Sequence, residues 1–403
     1  MARRGAQDDT TPMLFAGAGE PVPDHETAAE PPQTPADLGL FRVLRDDGTA
    51  DPAHDPGLAD ADLVRLYEQM LLVRNLDTRC LRLQRQGRIA FYGTSTGQEA
   101  ATVGSAWCIG PEDWLFPALR EGGAALLRGM PVSRYIAQLM GNAHDEQKGH
   151  QQPMHFSFRG ANHVSLSSPI ATQVPQAVGA ARAAQIRGDG RVVLGYLGDG
   201  ATSEHDFHVG MTFAGVWKAP VVLFCQNNQW AISVPVRQQT ASPTIAVKAR
   251  GYGMPGVRVD GNDLLAVVAA TRAAVERARA GHGPTFIEAL TYRRQGHSSS
   301  DDPTRYRDAA EVEEWERKDP IDRMRRHLGV RGLWDDARES AANDAQNELI
   351  SAAIQEAEKS APPALETLVE DVYGAAPHAL REQLDEVRPF FEEGRTAEGA
   401  FPL

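Results

Sequence analysis

The fold is decided by residues 191–233, which read RVVLGYLGDGATSEHDFHVGMTFAGVWKAPVVLFCQNNQWAIS. The stretch opens with residues 192–197, an apolar run with β-branched valines that predicts a buried strand. A Gly-Asp-Gly turn follows it. Ser203 and Asp206 have the spacing of a helix capping box, so we expect a helix to begin there and to continue to about Lys218.

A second strand is predicted for residues 221–225, which are apolar, follow the helix-breaking Pro220 and precede Asn227 and Asn228. Strand, helix and strand in this order indicate a βαβ unit with parallel strands. Parallel neighbours end at the same edge of a sheet, so Asp199 and Asn228 should lie close together beside a helix N-terminus. We therefore predict an α/β fold with a doubly wound, mainly parallel sheet and helical flanking segments.

This edge of the sheet has the chemistry of a metal and phosphate site. A carboxylate beside a carboxamide provides the oxygen ligands that Mg²⁺ prefers, and substrate phosphates commonly complete such sites. The helix N-terminus and the glycine amides of the turn favour a diphosphate. Taken alone, Gly-Asp-Gly is an ordinary turn and Asn-Asn an ordinary loop. Their combination after two strands, with 26 residues between Gly200 and Asn227, favours a site.

Five ordered motifs carry a resemblance to a known family. Gly-Asp-Gly, this spacer and Asn-Asn resemble the binding motif for thiamine diphosphate (ThDP), so the fold is similar to the ThDP-binding fold. From about Leu58 to the last helices, the chain resembles the alpha subunit of the decarboxylase component of 2-oxo acid dehydrogenase complexes, most closely the branched-chain type. The other motifs are RIAFYGTSTGQEA (88–100), KGHQQPMHFS (148–157), SLSSPIATQVPQAVGAA (165–181) and TYRRQGHSSSDDPTRYR (291–307).

The resemblance implies a site for ThDP and Mg²⁺. Arg120 aligns with an arginine that contacts the diphosphate, and the main-chain carbonyl of Trp230 aligns with a third Mg²⁺ ligand beside Asp199 and Asn228. The expected cofactor contacts are Arg120, Ser168, Ile170, Asp199, Gly200, Ala201, Asn228, Arg293 and His297, of which Ser168 and Ile170 would meet the pyrimidine end. Ser167, Pro169, Thr172 and Gln173 align with a site for a monovalent cation such as K⁺, although ordinary helix capping is the alternative.

A polar loop over residues 291–302 follows a predicted strand and so ends at the same edge of the sheet. Its His297 is our candidate catalytic residue, because an imidazole can donate or accept a proton near neutral pH. Arg293 could pair with a phosphate. A flexible serine-rich loop with one solvated histidine is the alternative. In some relatives the residue aligned with Ser298 is phosphorylated, which would add negative charge beside His297.

Three positions depart from the family pattern. Leu119 stands where Tyr is usual, His150 where Arg is usual, and Gln226 where branched-chain relatives tend to carry Arg. Leu119 and Gln226 remove contacts to the diphosphate, so we expect weaker cofactor affinity without loss of function. Four histidines lie between residues 144 and 163, but their spacing matches no zinc motif; of these, His155 could face the cleft.

The composition argues against several classes of protein. The net charge of −13 over 403 residues argues against general nucleic-acid binding. No apolar run approaches the ~20 residues of a membrane span. Cys80, Cys108 and Cys225 lie in apolar segments and are expected to be reduced, which favours a cytoplasmic protein.

We predict three regions: a disordered or draped tail over residues 1–40, the ThDP-binding α/β domain over 41–330, and a helical segment over 331–403 that makes subunit contacts. Residues 41–44 are expected to form a short strand or an ordered anchor. The further predicted elements are helices over residues 61–86, 97–107, 173–187, 263–280 (capped by Asn262), 311–328, 335–361 and 378–391, and strands over 114–116, 256–260 and 284–290.

The expected reaction is the oxidative decarboxylation of branched-chain 2-oxo acids. ThDP enzymes hold the cofactor between a diphosphate domain and a pyrimidine domain, and only the first is recognisable here. The resemblance therefore implies a beta subunit, a heterotetramer of two alpha and two beta chains, and a lipoyl-bearing acyltransferase core that receives the acyl group. The alternatives are a pyruvate dehydrogenase alpha subunit and a degenerate, non-catalytic alpha subunit. A Rossmann-type dehydrogenase is disfavoured because no G-x-G-x-x-G motif follows a strand.

Overall fold

A parallel sheet is the centre of the chain, described over residues 39–392 in a computed structural model. The strands are β1 (Trp114–Phe116), β2 (Val193–Gly198), β3 (Val221–Asn227), β4 (Trp230–Ala231), β5 (Val234–Pro235), β6 (Gly256–Asp260) and β7 (Thr285–Leu290). The five parallel strands have the order β1-β2-β3-β7-β6, and β4 pairs with β5 in an antiparallel hairpin.

Helices precede, connect and follow these strands. They are α1 (Asp60–Arg85), α2 (Glu99–Trp107), α3 (Gly122–Leu127), α4 (Val132–Met140), α5 (Gln173–Arg187), α6 (His205–Trp217), α7 (Val236–Gln239), α8 (Leu264–Arg279), α9 (Ala309–Glu316), α10 (Pro320–Val330), α11 (Asp336–Lys359), α12 (Thr367–Glu370) and α13 (His378–Glu392).

The register of the central strands brings their carboxyl ends to one edge. Gly198 on β2 pairs with Gln226 on β3, and Asn227 on β3 pairs with Leu290 on β7. Every residue of β3 is buried, as expected for a parallel strand covered on both faces. The predicted βαβ unit is confirmed, and so is the α/β fold class.

Helices cover both faces of the sheet. Val222 and Phe224 of β3 belong to one apolar cluster, whereas Leu223 and Cys225 belong to another, because successive side chains of a strand point to opposite faces. The first cluster includes residues of α1, α2, α8 and α10, and the second includes residues of α5 and α6. The sheet is therefore doubly wound.

Two predicted helix caps are wrong. Ser203 closes a 3-10 turn, Gly200–Ser203, and α6 begins after Glu204, so no capping box forms at Ser203. Asp263, rather than Asn262, caps α8: its Oδ1 accepts a hydrogen bond from the main-chain nitrogen of Ala266 at 3.0 Å. Asn262 instead donates to the carbonyl of Lys318, which ties the loop before α8 to the loop before α10.

The predicted helix over residues 311–328 is two helices. α9 ends at Glu316 and α10 begins at Pro320. Pro320 has no main-chain N–H and favours the first position of a helix, and Asp319 caps that helix through Ile321. The helical periodicity on both sides concealed this break.

The segment before α1 is an ordered anchor. Phe41 bridges to Val259 on β6, and the main-chain nitrogens of Val43 and Leu44 donate to Asp263 Oδ2 at 2.7 and 2.6 Å. The predicted tail, apart from residues 39 and 40, lies outside the described residues. So does the end of the predicted C-terminal segment, residues 393–403.

The C-terminal helix α11 packs against α1 and α4. Its Ile350 and Ile354 are buried in a third apolar cluster with Leu76 of α1 and Leu139 of α4. Part of the segment assigned to subunit contacts thus completes the core of the chain, and the subunit contacts themselves stay a prediction. Over residues 39–392, no helix combines the length and apolarity needed to cross a membrane.

Candidate active site

Asp199 and Asn228 lie at the carboxyl ends of adjacent strands. Asp199 is 2% exposed, and its Oδ2 accepts a hydrogen bond from Gln239 Nε2 at 3.1 Å. Asn228 is 8% exposed, and its Oδ1 accepts from the main-chain nitrogen of Trp230 at 3.3 Å. Burial raises the pKa of Asp199 to about 6, because water no longer stabilises the carboxylate. A bound cation would restore that stabilisation, so the donor set suits Mg²⁺.

Gly200 has a steric reason to be glycine. A Cβ at this position would lie 2.6 Å from the Cβ of Ala231 on β4. The β4–β5 hairpin can therefore approach the turn after β2 only when residue 200 has no side chain. Ala201, the next predicted cofactor contact, is buried in the same turn.

Arg293 holds the Trp230 segment in place. Its guanidinium is buried, and Nη1 donates to the carbonyl of Trp230 at 3.1 Å. Nη2 donates to the carbonyl of Ile232 at 2.7 Å and to the hydroxyl of Tyr306 at 2.9 Å. The carbonyl expected to bind Mg²⁺ thus accepts a hydrogen bond from Arg293, whose own role toward a phosphate stays a prediction.

Arg120 and His297 meet, although they follow different strands. Arg120 Nη2 donates to the carbonyl of His297 at 2.8 Å and lies 3.4 Å from its Nδ1, while Nη1 donates to the carbonyl of Thr94. A guanidinium only donates, so Nδ1 faces it as an acceptor and the proton of the neutral ring lies on Nε2. His297 therefore offers Nε2–H as a hydrogen-bond donor.

The charges here are buried and positive. Within residues 39–392, neither Arg120 nor Arg293 forms an ion pair with a carboxylate. Burial lowers the pKa of Arg120 to about 10, with the charge of Arg293 as the second cause. Burial and then the charges of both arginines lower the pKa of His297 to about 4. Such an environment favours an anionic ligand.

The loop that carries His297 is anchored by a carboxylate. Asp301 Oδ2 accepts hydrogen bonds from the main-chain nitrogen of His297 at 2.6 Å and from the hydroxyl of Tyr306. Arg307 Nη2 donates to the carbonyl of Arg294 at 3.0 Å. The solvated-loop alternative is therefore disfavoured, since both ends of this loop are held.

The expected K⁺ ligands lie together before α5. Thr172 Oγ1 is 2.7 Å from Ser167 Oγ and 2.8 Å from the carbonyl oxygen of Pro169. Gln173 is turned toward the sheet, where its Nε2 donates to the carbonyl of Tyr196 at 2.9 Å. Oxygen atoms of three of the four expected ligands, Ser167, Pro169 and Thr172, therefore lie close together.

The expected pyrimidine contacts lie on the same loop and are exposed. Ser168 Oγ is 2.6 Å from Nε2 of His155, and Ile170 is 56% exposed. His155, predicted to face the cleft, is only 4% exposed, and its ring contacts the exposed Ser168.

Gln226 faces a buried carboxylate. Its Nε2 donates to Glu121 Oε1, and its Oε1 accepts from Thr102 Oγ1 at 3.2 Å. Burial raises the pKa of Glu121 to about 7. An arginine at position 226 would stand opposite this carboxylate, so the departure leaves Glu121 with a neutral partner. Leu119, two residues before Glu121 in the chain, is half-buried.

Sequence reasoning missed several residues of this site. They are Gln98, whose Oε1 accepts from Asn228 Nδ2 at 3.1 Å, together with Glu121, Gln239, Asp301 and Tyr306. Three of them, Gln98, Asp301 and Tyr306, lie within motifs that carry the family resemblance. Their place in those motifs could have identified them as candidate site residues. Gln239 reaches Asp199 from a short helix 40 residues later, and no pattern indicated it.

Comparisons with known proteins identify the family of the chain. The family described as "Dehydrogenase E1 component" matches residues 67–366. 2-Oxoisovalerate dehydrogenase subunit alpha, mitochondrial, of Bos taurus is 41% identical over 354 residues, 87% of this chain and 78% of that protein. 3-Methyl-2-oxobutanoate dehydrogenase subunit alpha of Mycobacterium tuberculosis is 43% identical over 355 residues, 87% of this chain and 94% of that protein. The chain therefore belongs to the family of dehydrogenase E1 components, as its motifs predicted.

Proposed function

We propose that this chain is the alpha subunit of a 3-methyl-2-oxobutanoate dehydrogenase, which oxidatively decarboxylates branched-chain 2-oxo acids and transfers the acyl group to a lipoyl domain. The observation that carries the proposal is the meeting of Asp199, Asn228, Arg120 and His297 at one edge of the sheet. The relatives named for 2-oxoisovalerate and 3-methyl-2-oxobutanoate favour this substrate class over pyruvate.

ThDP fits the residues present, and membership of the family implies dependence on it. Arg120 and Arg293 are buried cations without carboxylate partners among the described residues, which suits a diphosphate. When bound, ThDP supplies the electron sink that decarboxylation requires. Arg120 would hold the diphosphate and keep His297 oriented, and the neutral ring of His297 would donate a hydrogen bond from Nε2–H to the reacting group.

The proposal includes two sites for metal ions, one for Mg²⁺ and one for K⁺. Asp199, Asn228 and the carbonyl of Trp230 would bind Mg²⁺, and the buried Asp199 carboxylate supports a cation there. K⁺ would bind at Ser167, Pro169, Thr172 and Gln173, supported by the close approach of the first three.

Because only the diphosphate domain of a ThDP site is recognisable in this chain, the proposal includes partner subunits. A beta subunit would supply the pyrimidine domain and form a heterotetramer of two alpha and two beta chains, and a lipoyl-bearing acyltransferase core would accept the product. We place the complex in the cytoplasm, because all three cysteines are free thiols.

The test is CO₂ release with ThDP and Mg²⁺ by this chain co-purified with its beta partner. We expect faster turnover of 3-methyl-2-oxobutanoate than of pyruvate. A preference for pyruvate would keep the fold and cofactor but move the enzyme to the pyruvate type. ThDP binding without turnover of either acid would instead support a degenerate alpha subunit.

A further inference from the structure

We propose that Gln98 is a positioning residue for the metal site: it fixes the carboxamide of Asn228 so that the oxygen atom, and not the amino group, is available to a cation. Gln98 acts through Asn228 and is not itself a ligand. The inference deepens the proposed function and rests on it, because it takes Asn228 as a ligand of Mg²⁺.

A carboxamide can bind a cation only through its oxygen. The side chain of Asn228 ends in Oδ1, which accepts hydrogen bonds or coordinates a metal, and in Nδ2, which only donates. The two atoms are so similar in size that packing does not choose between the two orientations. The hydrogen-bond partners of the two atoms therefore set the orientation.

The partners of Asn228 select the orientation that a metal ligand needs. Nδ2 donates to Gln98 Oε1 at 3.1 Å, and Oδ1 accepts from the main-chain nitrogen of Trp230 at 3.3 Å, which is long for such a bond. In the opposite orientation, the amino group of Asn228 would face the N–H of Trp230, and its oxygen would face the oxygen of Gln98. Both contacts would then be repulsive.

Gln98 holds this position although one of its own atoms lacks a partner. Its side chain is 0% exposed, and its Nε2 has no hydrogen-bond partner among the described residues. A buried donor without a partner destabilises a fold. Filling the space does not require a glutamine, since an apolar side chain of similar size would do so without this donor. The acceptor that Oε1 presents to Asn228 does require one.

The main chain around Gln98 is fixed to the same edge of the sheet. Gln98 directly precedes α2, and the hydroxyl of Thr291, just after β7, donates to the carbonyl of Gly97 at 2.7 Å. A Cβ at Gly97 would collide with the carbonyl oxygen of Tyr292, so the two segments approach as closely as glycine allows. The main-chain nitrogen of Thr291 also donates to the carbonyl of Asn227 at 2.9 Å. Residue 291 thus joins the Gln98 segment to the end of β3.

The experiment measures the Mg²⁺ concentration at which half of the complex with its beta partner binds ThDP. Gln98→Met removes the acceptor at nearly constant size and is expected to raise this concentration about tenfold, the usual effect of losing a partner of a metal ligand. Gln98→Glu keeps an acceptor oxygen for Asn228 Nδ2 and should recover most of the affinity. The matched control is Gln69→Met on α1, because the amide nitrogen of Gln69 is also buried without a partner among the described residues.

A second background separates orientation from general damage. In Asn228→Asp both terminal atoms of residue 228 are oxygens, so no orientation is left to fix. Gln98→Met should then cause little further loss, whereas damage to the fold would weaken binding in both backgrounds. Without Mg²⁺ and ThDP, the melting temperature of Gln98→Met should match that of the wild type, because the substitution exchanges one unpartnered buried donor for another.

Three results would overturn the role of Gln98 alone. They are an unchanged Mg²⁺ requirement in Gln98→Met, a Gln98→Glu variant as weak as Gln98→Met, and equal losses in the two backgrounds. ThDP binding by the wild type that does not depend on Mg²⁺ would instead overturn the proposed metal site. No ThDP binding by the wild-type complex would overturn the proposed function itself.

Discussion

Arg120 Nη2 donates to the main-chain carbonyl of His297 at 2.8 Å, although 177 residues separate the two. The bond joins the end of β1 to the loop after β7, on opposite sides of the central strands. Burial, and then the charge of Arg120 beside Nδ1, lowers the pKa of His297 to about 4, so the ring is neutral and its proton lies on Nε2. The candidate catalytic histidine is thus oriented by a residue that is also expected to bind the diphosphate.

Asp199→Ala is expected to abolish Mg²⁺-dependent binding of ThDP. The substitution removes the buried carboxylate from the expected metal ligands and leaves only neutral oxygens. Titration of the complex with ThDP, with and without Mg²⁺, measures the effect. Asp344→Ala, an exposed carboxylate on α11, is the control and should bind as the wild type does. Retained affinity in Asp199→Ala would rule out the metal assignment.

His297→Asn is expected to lower turnover by a factor of about 10² to 10³, the usual effect of removing one hydrogen-bond donor to the reacting group. The Kd of ThDP should change only a few-fold, because Arg120 contacts the main-chain carbonyl of residue 297 and that contact survives. Steady-state CO₂ release and calorimetry measure the two quantities. His282→Asn, at an exposed position after α8, is the control. Full activity in His297→Asn would exclude it as the catalytic residue.

Gln226→Arg is expected to tighten ThDP binding by about tenfold, which is ~1.4 kcal/mol. The new guanidinium would stand opposite Glu121, as Gln226 does, and would restore the diphosphate contact that this departure is expected to remove. Calorimetry on the complex measures the Kd. Gln226→Met, which supplies no cation, should give no gain. Weaker binding by a folded Gln226→Arg variant would contradict the expectation that this departure costs affinity.

Asp77→Asn is expected to flatten the pH dependence of stability. Burial, followed by the charge of Glu99, raises the pKa of Asp77 from 3.8 to about 7. The folded chain therefore retains a proton that the unfolded chain releases, so this group stabilises the fold below about pH 4 and loses that effect as the pH rises to about 7. The slope is about 1.4 kcal/mol per pH unit for one proton.

Melting temperatures of the wild type and Asp77→Asn between pH 4 and about pH 7 test that slope. An asparagine can keep the hydrogen bonds, since Asp77 Oδ2 accepts from Ser95 and Thr96 and Oδ1 meets the hydroxyl of Tyr92. Equal pH slopes in the two proteins would show that Asp77 is already ionised when folded. Asp344→Asn should match the wild type throughout.

The breaks between helices were harder to predict than the strands. β3 and β6 follow from short apolar or β-branched runs, whereas the division between α9 and α10 depends on Pro320 and the cap at Asp319. At α8 two adjacent residues could cap the helix; Asp263 does so through Oδ1, and its Oδ2 binds the main-chain nitrogen of Val43. Local sequence offers both candidates and does not choose between them.

Local patterns are enough to predict the βαβ unit and the edge at which Asp199 and Asn228 meet, because hydrophobic periodicity and the handedness of parallel crossovers are local rules. The side chains that support these two residues come from distant parts of the chain, and only the folded structure identifies them. Gln239 reaches Asp199, Glu121 faces Gln226, and Gln98 accepts from Asn228. Each of these pairs joins separate elements, so its geometry depends on how the helices and loops pack around the sheet.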